Sequence, residues 1–429
     1  MAMKTKATAR TAKRSAAKAK APAGGARHVL SAAVLLGGKM SLKTIQMPIT
    51  NIYMDGDYTG LIYLGSQKKP ANVILDTGSS TLAIDGNAYD PTKDSTAKIT
   101  DLAQEVSYAD QSNWIGGIVL VDIVAGMGSN AIALPQCHAA VAYHVSANMF
   151  RNSQGILGLA YTKLNNAFEM PGPTIPPKYT FNQIQNGKMT YIEPYFTQLE
   201  SKGLVANKFA FYTKRSMVNM TTANPATDPL NNGSLILGGG EEYNGTNGLP
   251  QLYTGSFQVA RVVHDLYYNT NLKSITVGNT SPIPVPTATK ASGNVSNSVV
   301  DSGTNGVMLE QSLFDAMAKK FSSSAGSTLE DAMQAGYVPM SKLNLSQWPP
   351  ITLVLEGALG KDVSLTMSPH TYWQTDSPKK GYAQAAIFGD DNQGGGQSIL
   401  GLPLMNNYFT VFDRSVSKGL GVVSFAPIK

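Results

Sequence analysis

The feature that most constrains this 429-residue chain is a short pattern that occurs once in each half. An apolar run ends in Asp, which is followed by a hydroxyl residue, Gly and a second hydroxyl residue. The first copy lies in Asn72–Ser80 (NVILDTGSS) and the second in Ser298–Thr304 (SVVDSGT). An Ile-Leu-Gly run follows each copy and ends at Gly158 or Gly401. The two halves therefore resemble each other, and the sequence predicts an internal duplication.

Each copy places a carboxylate, Asp76 or Asp301, at the end of a run that reads as a buried strand. The Gly that follows permits a tight backbone path and the close approach of another segment. One such turn is common in β proteins, whereas two equivalent turns predict that the carboxylates meet where the halves face each other. Carboxylates about 3 Å apart cannot both ionise, so they share a proton and titrate together. The residues expected to support the pair are Thr77, Gly78, Ser79, Ser302, Gly303 and Thr304.

Such a pair can hydrolyse an amide without a covalent intermediate. The ionised Asp acts as a general base on a bound water, and the protonated Asp donates to the scissile carbonyl oxygen. The hydroxyl groups of Ser79 and Thr304 are placed to hydrogen-bond the outer carboxylate oxygens, which favours the ionised form. No metal or organic cofactor is expected, because Cys137, His138 and His144 lack the ligand spacing of a structural zinc site.

Composition and periodicity predict an all-β protein with a few short helices. Glycine is abundant, with 41 residues, and many short apolar or alternating runs are bounded by turn residues, which is typical of strands. Helical spacing is found over Thr180–Lys202, Glu310–Phe321 and Leu329–Ala335. The predicted strands include Tyr58–Gly65, Asn72–Leu75, Ile118–Val124, Gln136–Tyr143 and Phe209–Thr213.

The chain divides into three predicted segments: a basic tail, residues 1–43, an N-terminal lobe, residues 44–215, and a C-terminal lobe, residues 216–429. The tail carries ten of the 34 Lys and Arg residues, and no acidic residue precedes Asp55. The remaining 24 basic and 28 acidic residues make the rest of the chain mildly acidic. The net charge of +6 therefore belongs to the tail and does not indicate specific nucleic-acid binding, although the tail could bind anionic surfaces.

Several roles for the tail stay open. Its low complexity and like charge are typical of a solvated, disordered segment. The basic stretch before the apolar run His28–Gly38 also fits a secretory signal, an organellar transit peptide or a prosegment. With Cys137 as the single cysteine, the chain forms no intramolecular disulfide, which favours the cytoplasm or periplasm of a bacterium over secretion or an organelle. No apolar run reaches 18 residues, so a membrane-spanning helix is not expected.

Taken in order, these motifs resemble those of the two-lobed, pepsin-like aspartic peptidases over nearly all of residues 53–429. Besides the two Asp turns, the resemblance rests on Gly155–Tyr161, Gly233–Gly239, Tyr268–Ile275 and Tyr408–Arg414. It implies two β-barrel-like lobes related by a pseudo-two-fold axis, with a cleft that holds an extended polypeptide substrate. It also implies a preference for apolar side chains beside the cleaved bond. The lack of disulfides is closest in character to the bacterial members, and a monomer is expected.

The resemblance further implies a flap, a hairpin that closes over substrate and carries a tyrosine near its tip. Tyr108, ahead of the pair Gly116–Gly117, matches that position. The Trp that the family commonly has after the first Asp turn is replaced by Ala83, and Trp114 is a candidate to compensate for it. Asn305 stands where Ser or Thr is usual after the second turn, which could alter substrate contacts.

The sequence therefore predicts an aspartic endopeptidase. One alternative is a catalytically silent peptide-binding or inhibitor protein on the same scaffold, which the retention of both Asp residues disfavours. A second alternative makes the basic tail the main functional element, tethering the rest of the chain to nucleic acid or to an anionic membrane.

Overall fold

The computed structural model of this protein describes residues 42–54, 56–108, 111–147, 149–214, 224–288, 295–390 and 397–429. The fold is mostly β, with two lobes and a few short helices, as the sequence predicts. Most of the predicted tail, residues 1–41, and the predicted lobe boundary at residue 215 lie outside the described residues.

The strands of the first half are β1 (Ile45–Met54), β2 (Asp57–Leu64), β3 (Lys69–Asp76), β4 (Leu82–Asp85), β5 (Lys98–Ser107), β6 (Asn113–Ala125), β7 (Ile132–Val145), β8 (Gly155–Gly158), β9 (Asn166–Glu169), β10 (Lys188–Tyr191) and β11 (Lys208–Tyr212). Those of the second half are β12 (Asn232–Leu237), β13 (Gln258–Arg261), β14 (Asn269–Thr270), β15 (Leu272–Val277), β16 (Ile283–Pro284), β17 (Ser298–Val300), β18 (Val307–Glu310), β19 (Tyr337–Pro339), β20 (Ile351–Leu355), β21 (Val363–Met367), β22 (Trp373–Thr375), β23 (Tyr382–Ala385), β24 (Ile387–Asp390), β25 (Ser398–Leu400), β26 (Tyr408–Asp413) and β27 (Val422–Pro427). The helices are α1 (Phe181–Gln185), α2 (Tyr195–Ser201), α3 (Gln311–Ala325), α4 (Ser327–Ala335), α5 (Pro369–Tyr372) and α6 (Leu402–Met405). Within the described ranges, no helix combines the length and apolar character needed to cross a bilayer.

The strand that leads into Asp76 is apolar on both faces because both faces are buried. In β3, the side chains of Val73, Ile74 and Leu75 are all fully buried, and the strand lies between β2 and β8. A continuous apolar run of this kind is typical of a strand that is covered on both faces. The same burial carries the carboxylate at its end into the interior.

The strand pairings repeat between the halves. In the first half, β3 runs parallel to β8, while β4 pairs antiparallel with β8 and parallel with β7. In the second half, β17 runs parallel to β25, while β18 pairs antiparallel with β25 and parallel with β24. In each half the Asp turn therefore connects two strands, and the strand of the Ile-Leu-Gly run lies between those two strands in the sheet. This shared path is the structural form of the duplication that the sequence predicts.

A continuous part of the largest sheet joins the two halves. Its strands follow the order β1-β12-β11-β26-β27-β13, so strands from the start, middle and end of the chain lie side by side in one sheet. Aromatic rings fill the core beside it: Phe209 stacks on Phe412 with ring centroids 5.0 Å apart, and Tyr268 packs edge-on against Phe412 at 4.5 Å. Aromatic pairs at these distances stabilise a core beyond their buried area. This shared sheet holds the two lobes in one arrangement.

A long hairpin, β5–β6, projects from the first lobe. Val106 pairs with Trp114 and Ser107 with Asn113, and the Tyr108 N–H donates to the Ser112 carbonyl at 2.8 Å near the tip. A second hairpin, β9–β10, adds to the outer edge of β5. The other edge of the hairpin, β6, pairs with β7 as far as Trp114. The position that the sequence predicts for a flap is therefore occupied by a hairpin that is paired along both edges.

Of the three predicted helices, one is wrong in its centre. Residues Thr180–Lys202 form α1, then the strand β10, then α2, instead of one helix. The helix cannot continue because Gly187 follows α1 and because Pro194 disfavours helical backbone in the residue before it. The remaining two predictions, Glu310–Phe321 and Leu329–Ala335, fall on α3 and α4, which extend slightly further.

Candidate active site

The two Asp residues lie at equivalent ends of equivalent strands. Asp76 ends β3 and Asp301 follows β17, and both side chains are fully buried. The amide of Gly78 donates to Asp76 Oδ1 at 2.7 Å, and the amide of Gly303 donates to Asp301 Oδ1 at 2.9 Å. Each turn therefore folds back so that its own glycine N–H holds one oxygen of its own carboxylate.

Hydroxyl groups of the two turns hold the turns together. The Thr77 hydroxyl donates to the Val300 carbonyl at 3.1 Å and accepts from the Ser302 amide at 2.9 Å. The Ser302 hydroxyl donates to the Leu75 carbonyl at 2.8 Å and accepts from the Thr77 amide at 3.1 Å. These four bonds are reciprocal between halves and all are buried. They fix the distance between the two turns without involving either carboxylate.

The turn glycines leave room for the opposite carboxylate. A Cβ atom on Gly78 would lie 2.6 Å from Asp301 Oδ2. A Cβ atom on Gly303 would clash with Asp76 Oδ1. Any side chain at either position would therefore displace the carboxylate of the other half, which explains why both turns need Gly. The structure brings Asp76 and Asp301 together across these glycines.

Burial raises the pKa of both carboxyl groups. For Asp76 burial is the largest cause and the negative charge of Asp301 the next, and together they hold its pKa well above the usual range. Burial also raises the pKa of Asp301, while the Thr304 hydroxyl and the Gly303 amide act to lower it. Because the groups interact strongly, they titrate as a pair. The pair retains a proton at a pH where an isolated Asp has lost it.

The supporting hydroxyls differ between the turns. The Thr304 hydroxyl donates to Asp301 Oδ2 at 2.6 Å, as the sequence predicts. The Ser79 hydroxyl also lies beside Asp76 and acts to lower its pKa by hydrogen bonding. The geometry of that contact is poorer, since neither Ser79 Oγ nor Asp76 Oδ2 makes a well-aligned hydrogen bond among the described residues. Asp301 thus has a well-aligned donor on each oxygen, while Asp76 has one on Oδ1 only.

The glycines of the two Ile-Leu-Gly runs permit close packing on the Asp turns. A Cβ on Gly158 would lie 2.5 Å from the backbone of Ser80, and a Cβ on Gly401 would clash with the Thr304 carbonyl. In both halves the run passes directly over the end of the Asp turn. The Gly of each Ile-Leu-Gly run is therefore required for the same reason in both lobes, because a side chain there would clash with the backbone of the Asp turn.

Arg414 supports the first turn from beneath. Its side chain is 5% exposed, and its guanidinium donates to the carbonyls of Leu159 and Ala160. The Leu159 amide in turn donates to the Asp76 carbonyl at 2.7 Å, and the Ala160 amide donates to the Ser79 carbonyl at 2.8 Å. Sequence reasoning placed this Arg only in a C-terminal strand motif. Its role depends on a contact between the C-terminal strands and the first half of the chain.

Tyr108 lies near the tip of the β5–β6 hairpin and is 3% exposed. Trp114, fully buried on the opposite strand, donates from Nε1 to the Tyr108 hydroxyl at 3.2 Å. Both rings belong to an apolar cluster that includes Ala83. The small side chain of Ala83 and the indole of Trp114 thus share one cluster, in agreement with the hypothesis that Trp114 compensates for the missing Trp.

The hairpin is also tied to the segment after the first turn. The Thr81 hydroxyl and the Gln104 amide both donate to Asn165 Oδ1, at 2.8 and 3.0 Å. All three residues are buried. No pattern in the sequence points to this network, because isolated Thr, Gln and Asn residues form no recognisable motif. It links β5, the first strand of the hairpin, to the floor of the site.

Comparison with known proteins identifies the family. The family model described as eukaryotic aspartyl protease matches residues 57–427, and the chain belongs to that family. It is 26% identical over 382 residues to a beta-secretase of Strongylocentrotus purpuratus, covering 82% of this chain and 63% of that protein, which is less than two thirds of its length. It is 25% identical to a cathepsin D of Chionodraco hamatus, covering 88% and 82% of the two chains. A pepsin B of Canis lupus familiaris is 24% identical, with coverage of 86% and 82%.

Proposed function

We propose that this protein is an aspartic endopeptidase in which Asp76 and Asp301 activate a water molecule. The observation that carries the proposal is the opposition of each carboxylate to the turn glycine of the other half. Two fully buried carboxyl groups held in this way share a proton, which supplies a base and an acid at one place.

The difference in donors assigns the two roles. Asp301 has a hydrogen-bond donor on each oxygen, which stabilises its ionised form. Asp76 has a well-aligned donor on one oxygen only within the described residues, and the charge of Asp301 acts to raise its pKa, so we assign the shared proton to Asp76. We therefore assign Asp301 as the general base and Asp76 as the general acid in the free enzyme.

The reaction follows from these roles. The water oxygen attacks the scissile carbonyl carbon while one water proton passes to Asp301, and the proton of Asp76 passes to the carbonyl oxygen. The product of this step is a neutral diol. When the C–N bond breaks, Asp301 gives its proton to the leaving nitrogen, and a diol proton returns to Asp76. Both carboxyl groups end as they began, and no covalent intermediate forms.

The substrate is proposed to be a polypeptide in an extended conformation. The matched family is one of proteases, and an extended chain can be held by strand-like main-chain hydrogen bonds. The β5–β6 hairpin, with Tyr108 near its tip, is proposed to cover the bound chain. The bond between Trp114 and Tyr108 would position that tyrosine.

The organisation of the chain completes the proposal. We expect lobes at residues 44–215 and 216–429, a basic tail at residues 1–43, and a monomer. With the fully buried Cys137 as its single cysteine, the chain is proposed to be closest in character to disulfide-free bacterial members of the family.

Peptide cleavage measured from acidic to neutral pH tests the proposal. Asp76→Asn and Asp301→Asn should each lower kcat/KM by about 10²-fold or more, since each removes one partner of the acid–base pair. Asp331→Asn, at an exposed position on α4, is the matched control and should cleave normally. Unchanged cleavage in either active-site variant would remove the assignment. Peptide binding without any cleavage by the wild-type chain would instead support the silent scaffold.

A further inference from the structure

Asn165 lies where the floor of the candidate site meets the β5–β6 hairpin. It directly precedes β9, and β9 pairs with β5, the first strand of that hairpin. Its side chain is only 2% exposed, so it lies too deep to contact a bound peptide. Any effect of Asn165 on the reaction must therefore pass through the residues that it holds.

A single oxygen of Asn165 receives hydrogen bonds from both sides. Asn165 Oδ1 accepts from the Thr81 hydroxyl at 2.8 Å and from Gln104 Nε2 at 3.0 Å. Gln104 Nε2 also donates to the Asn166 carbonyl at 2.6 Å. Because a backbone carbonyl only accepts, the Gln104 group at this point is the NH2 group, and the Asn165 atom that faces it is the oxygen. The network itself therefore fixes the direction of both bonds to Asn165.

On the floor of the site, Thr81 belongs to the backbone that carries the first Asp turn. It follows Ser80 at the end of that turn and is buried. Its carbonyl accepts from the Gly158 amide at 2.9 Å, and Gly158 ends the Ile-Leu-Gly run that packs over the turn. Thr81 is therefore held in place together with the turn, and Asn165 is bonded to a fixed point.

On the hairpin, Gln104 and Tyr108 lie on the same face of β5. The pairing of β5 with β6 is regular over Ala103–Ser107, and the bond from the Tyr108 amide to the Ser112 carbonyl continues it. Side chains four residues apart in a regular strand point to the same side. The fully buried Gln104 side chain therefore ties to Asn165 the face of the hairpin that also carries Tyr108.

We propose that Asn165 is a positioning residue that sets the height of the β5–β6 hairpin above the first Asp turn. The inference rests on the proposed function, because the peptide has to lie between the hairpin and the carboxylates. Loss of the Asn165 oxygen separates this face of the hairpin from the turn. The scissile carbonyl is then misplaced relative to Asp76 and Asp301, and small displacements of reacting groups lower the rate of the chemical step.

Asn165→Leu tests the link, because Leu has a similar shape but accepts no hydrogen bond. We expect kcat for peptide cleavage to fall about tenfold or more, with a smaller change in KM. Asn165→Asp keeps an oxygen that accepts both bonds in either protonation state, so its kcat should stay close to that of the wild type even where its free energy of unfolding falls. An unchanged kcat in Asn165→Leu would overturn the proposal.

Asn166→Ala is the matched control. It removes the neighbouring side chain but keeps the backbone carbonyl that accepts from Gln104, so kcat should be unchanged. The free energy of unfolding is measured in denaturant for all three variants. If kcat simply follows stability across Asn165→Leu, Asn165→Asp and Asn166→Ala, Asn165 has a structural role only and the proposal is overturned.

Thr81→Val and Gln104→Leu provide a second route if Asn165→Leu does not fold. The first removes the bond on the floor with little change in shape, and the second removes the bond on the hairpin. Because one oxygen joins the two sides, breaking either bond breaks the link. The double variant should therefore lose no more kcat than the more affected single variant. Losses that add would contradict a single link through Asn165.

Hydrogen exchange separates this inference from the peptidase proposal. In Asn165→Leu the Tyr108 amide should exchange faster, while the Gly303 amide, which donates to Asp301 in the second turn, should keep its wild-type rate. If the wild-type chain cleaves no peptide but this pattern is found, the peptidase proposal alone is overturned. An unchanged rate at Tyr108, or equal acceleration at both amides, would overturn the positioning of the hairpin by Asn165.

Discussion

The two Asp turns are alike in backbone and unlike in the groups that surround the carboxylates. In both, the glycine amide donates to the Asp of its own turn, at 2.7 and 2.9 Å. In the second turn Thr304 also donates to Asp301, whereas the equivalent Ser79 makes no well-aligned hydrogen bond to Asp76 or to any other described residue. A duplicated fold thus supplies two matching carboxylates, and a single hydroxyl makes them chemically different.

The comparison shows that the close approach of the two carboxylates and their different roles in catalysis depend on different features of these turns. Close approach of the carboxylates requires equivalent halves, since each glycine must face the opposite Asp. Acid–base chemistry requires one carboxyl to be ionised and its partner protonated. The reciprocal bonds of Thr77 and Ser302 provide the first condition. The unequal donors to Asp301 and Asp76 provide the second.

The strongest expected effect comes from filling the space between the turns. Gly303→Ala or Gly78→Ala places a methyl group against the opposite carboxylate. We expect each to lower kcat/KM by about 100-fold or more, because small displacements of reacting groups have effects of this size. Gly172→Ala, whose Cβ would have its nearest neighbour at 3.7 Å, is the control and should be active. Full activity in both turn variants would show that the two halves do not meet at these glycines.

Removing Arg414 should affect the first turn more than the second. Arg414→Met takes the guanidinium from the carbonyls of Leu159 and Ala160, which hold the backbone of the first turn. We expect a loss of about 2 kcal/mol or more in the free energy of unfolding, measured in denaturant. Hydrogen exchange should become faster at Leu159 than at Leu402, the equivalent position of the second half. Equal acceleration at both amides would contradict a one-sided support.

The hydroxyl difference predicts a difference in pH dependence. A donor to an ionised carboxylate lowers its pKa, so Thr304→Val should raise the pKa of Asp301. Since the base must be ionised, the acidic limb of the kcat/KM profile moves to higher pH, by about one unit. Ser79→Ala should shift the profile less, because the contact of Ser79 with Asp76 is not a well-aligned hydrogen bond in the described part of the chain. Thr304→Ser, which keeps the hydroxyl, is the control. Equal shifts for the Thr304 and Ser79 variants would contradict the proposed difference between the hydroxyl donors to Asp301 and Asp76.

The smallest expected effect concerns the hairpin of the first half. Trp114→Phe removes the bond to the Tyr108 hydroxyl and should raise KM about two- to tenfold, the range of one neutral hydrogen bond. Trp348→Phe, in the second half, removes a buried indole that lies outside this hairpin and should leave KM unchanged. A rise in KM of the same size in both variants would point to general loosening and not to positioning of Tyr108.

Much of the fold could be predicted because the duplication is visible in the sequence as repeated patterns. The apolar runs before Asp76 and Asp301, and the two Ile-Leu-Gly runs, each correspond to a repeated strand pairing. The helix predicted over Thr180–Lys202 was wrong because its centre pairs with β9. In that segment the contact with a neighbouring strand outweighs the local helical spacing.

The residues of the candidate site also divide into those that the sequence reveals and those that only the structure reveals. Asp76 and Asp301 follow from local patterns and their order along the chain, and Tyr108 follows from the resemblance to the family. Arg414 and Asn165 do not, since each acts through partners that are far away in sequence and have no motif of their own.

The sequence by itself determined which groups are repeated: two carboxylates, two turn glycines and two runs that pack over them. Local spacing can specify these because each requirement is met within a few residues of backbone. Only the tertiary structure decided how the copies differ, since a hydrogen bond depends on distances of a few tenths of an ångström between segments far apart in the chain. Among the described residues, Thr304 makes a well-aligned hydrogen bond to its carboxylate and Ser79 does not, although both follow the same Asp-hydroxyl-Gly pattern.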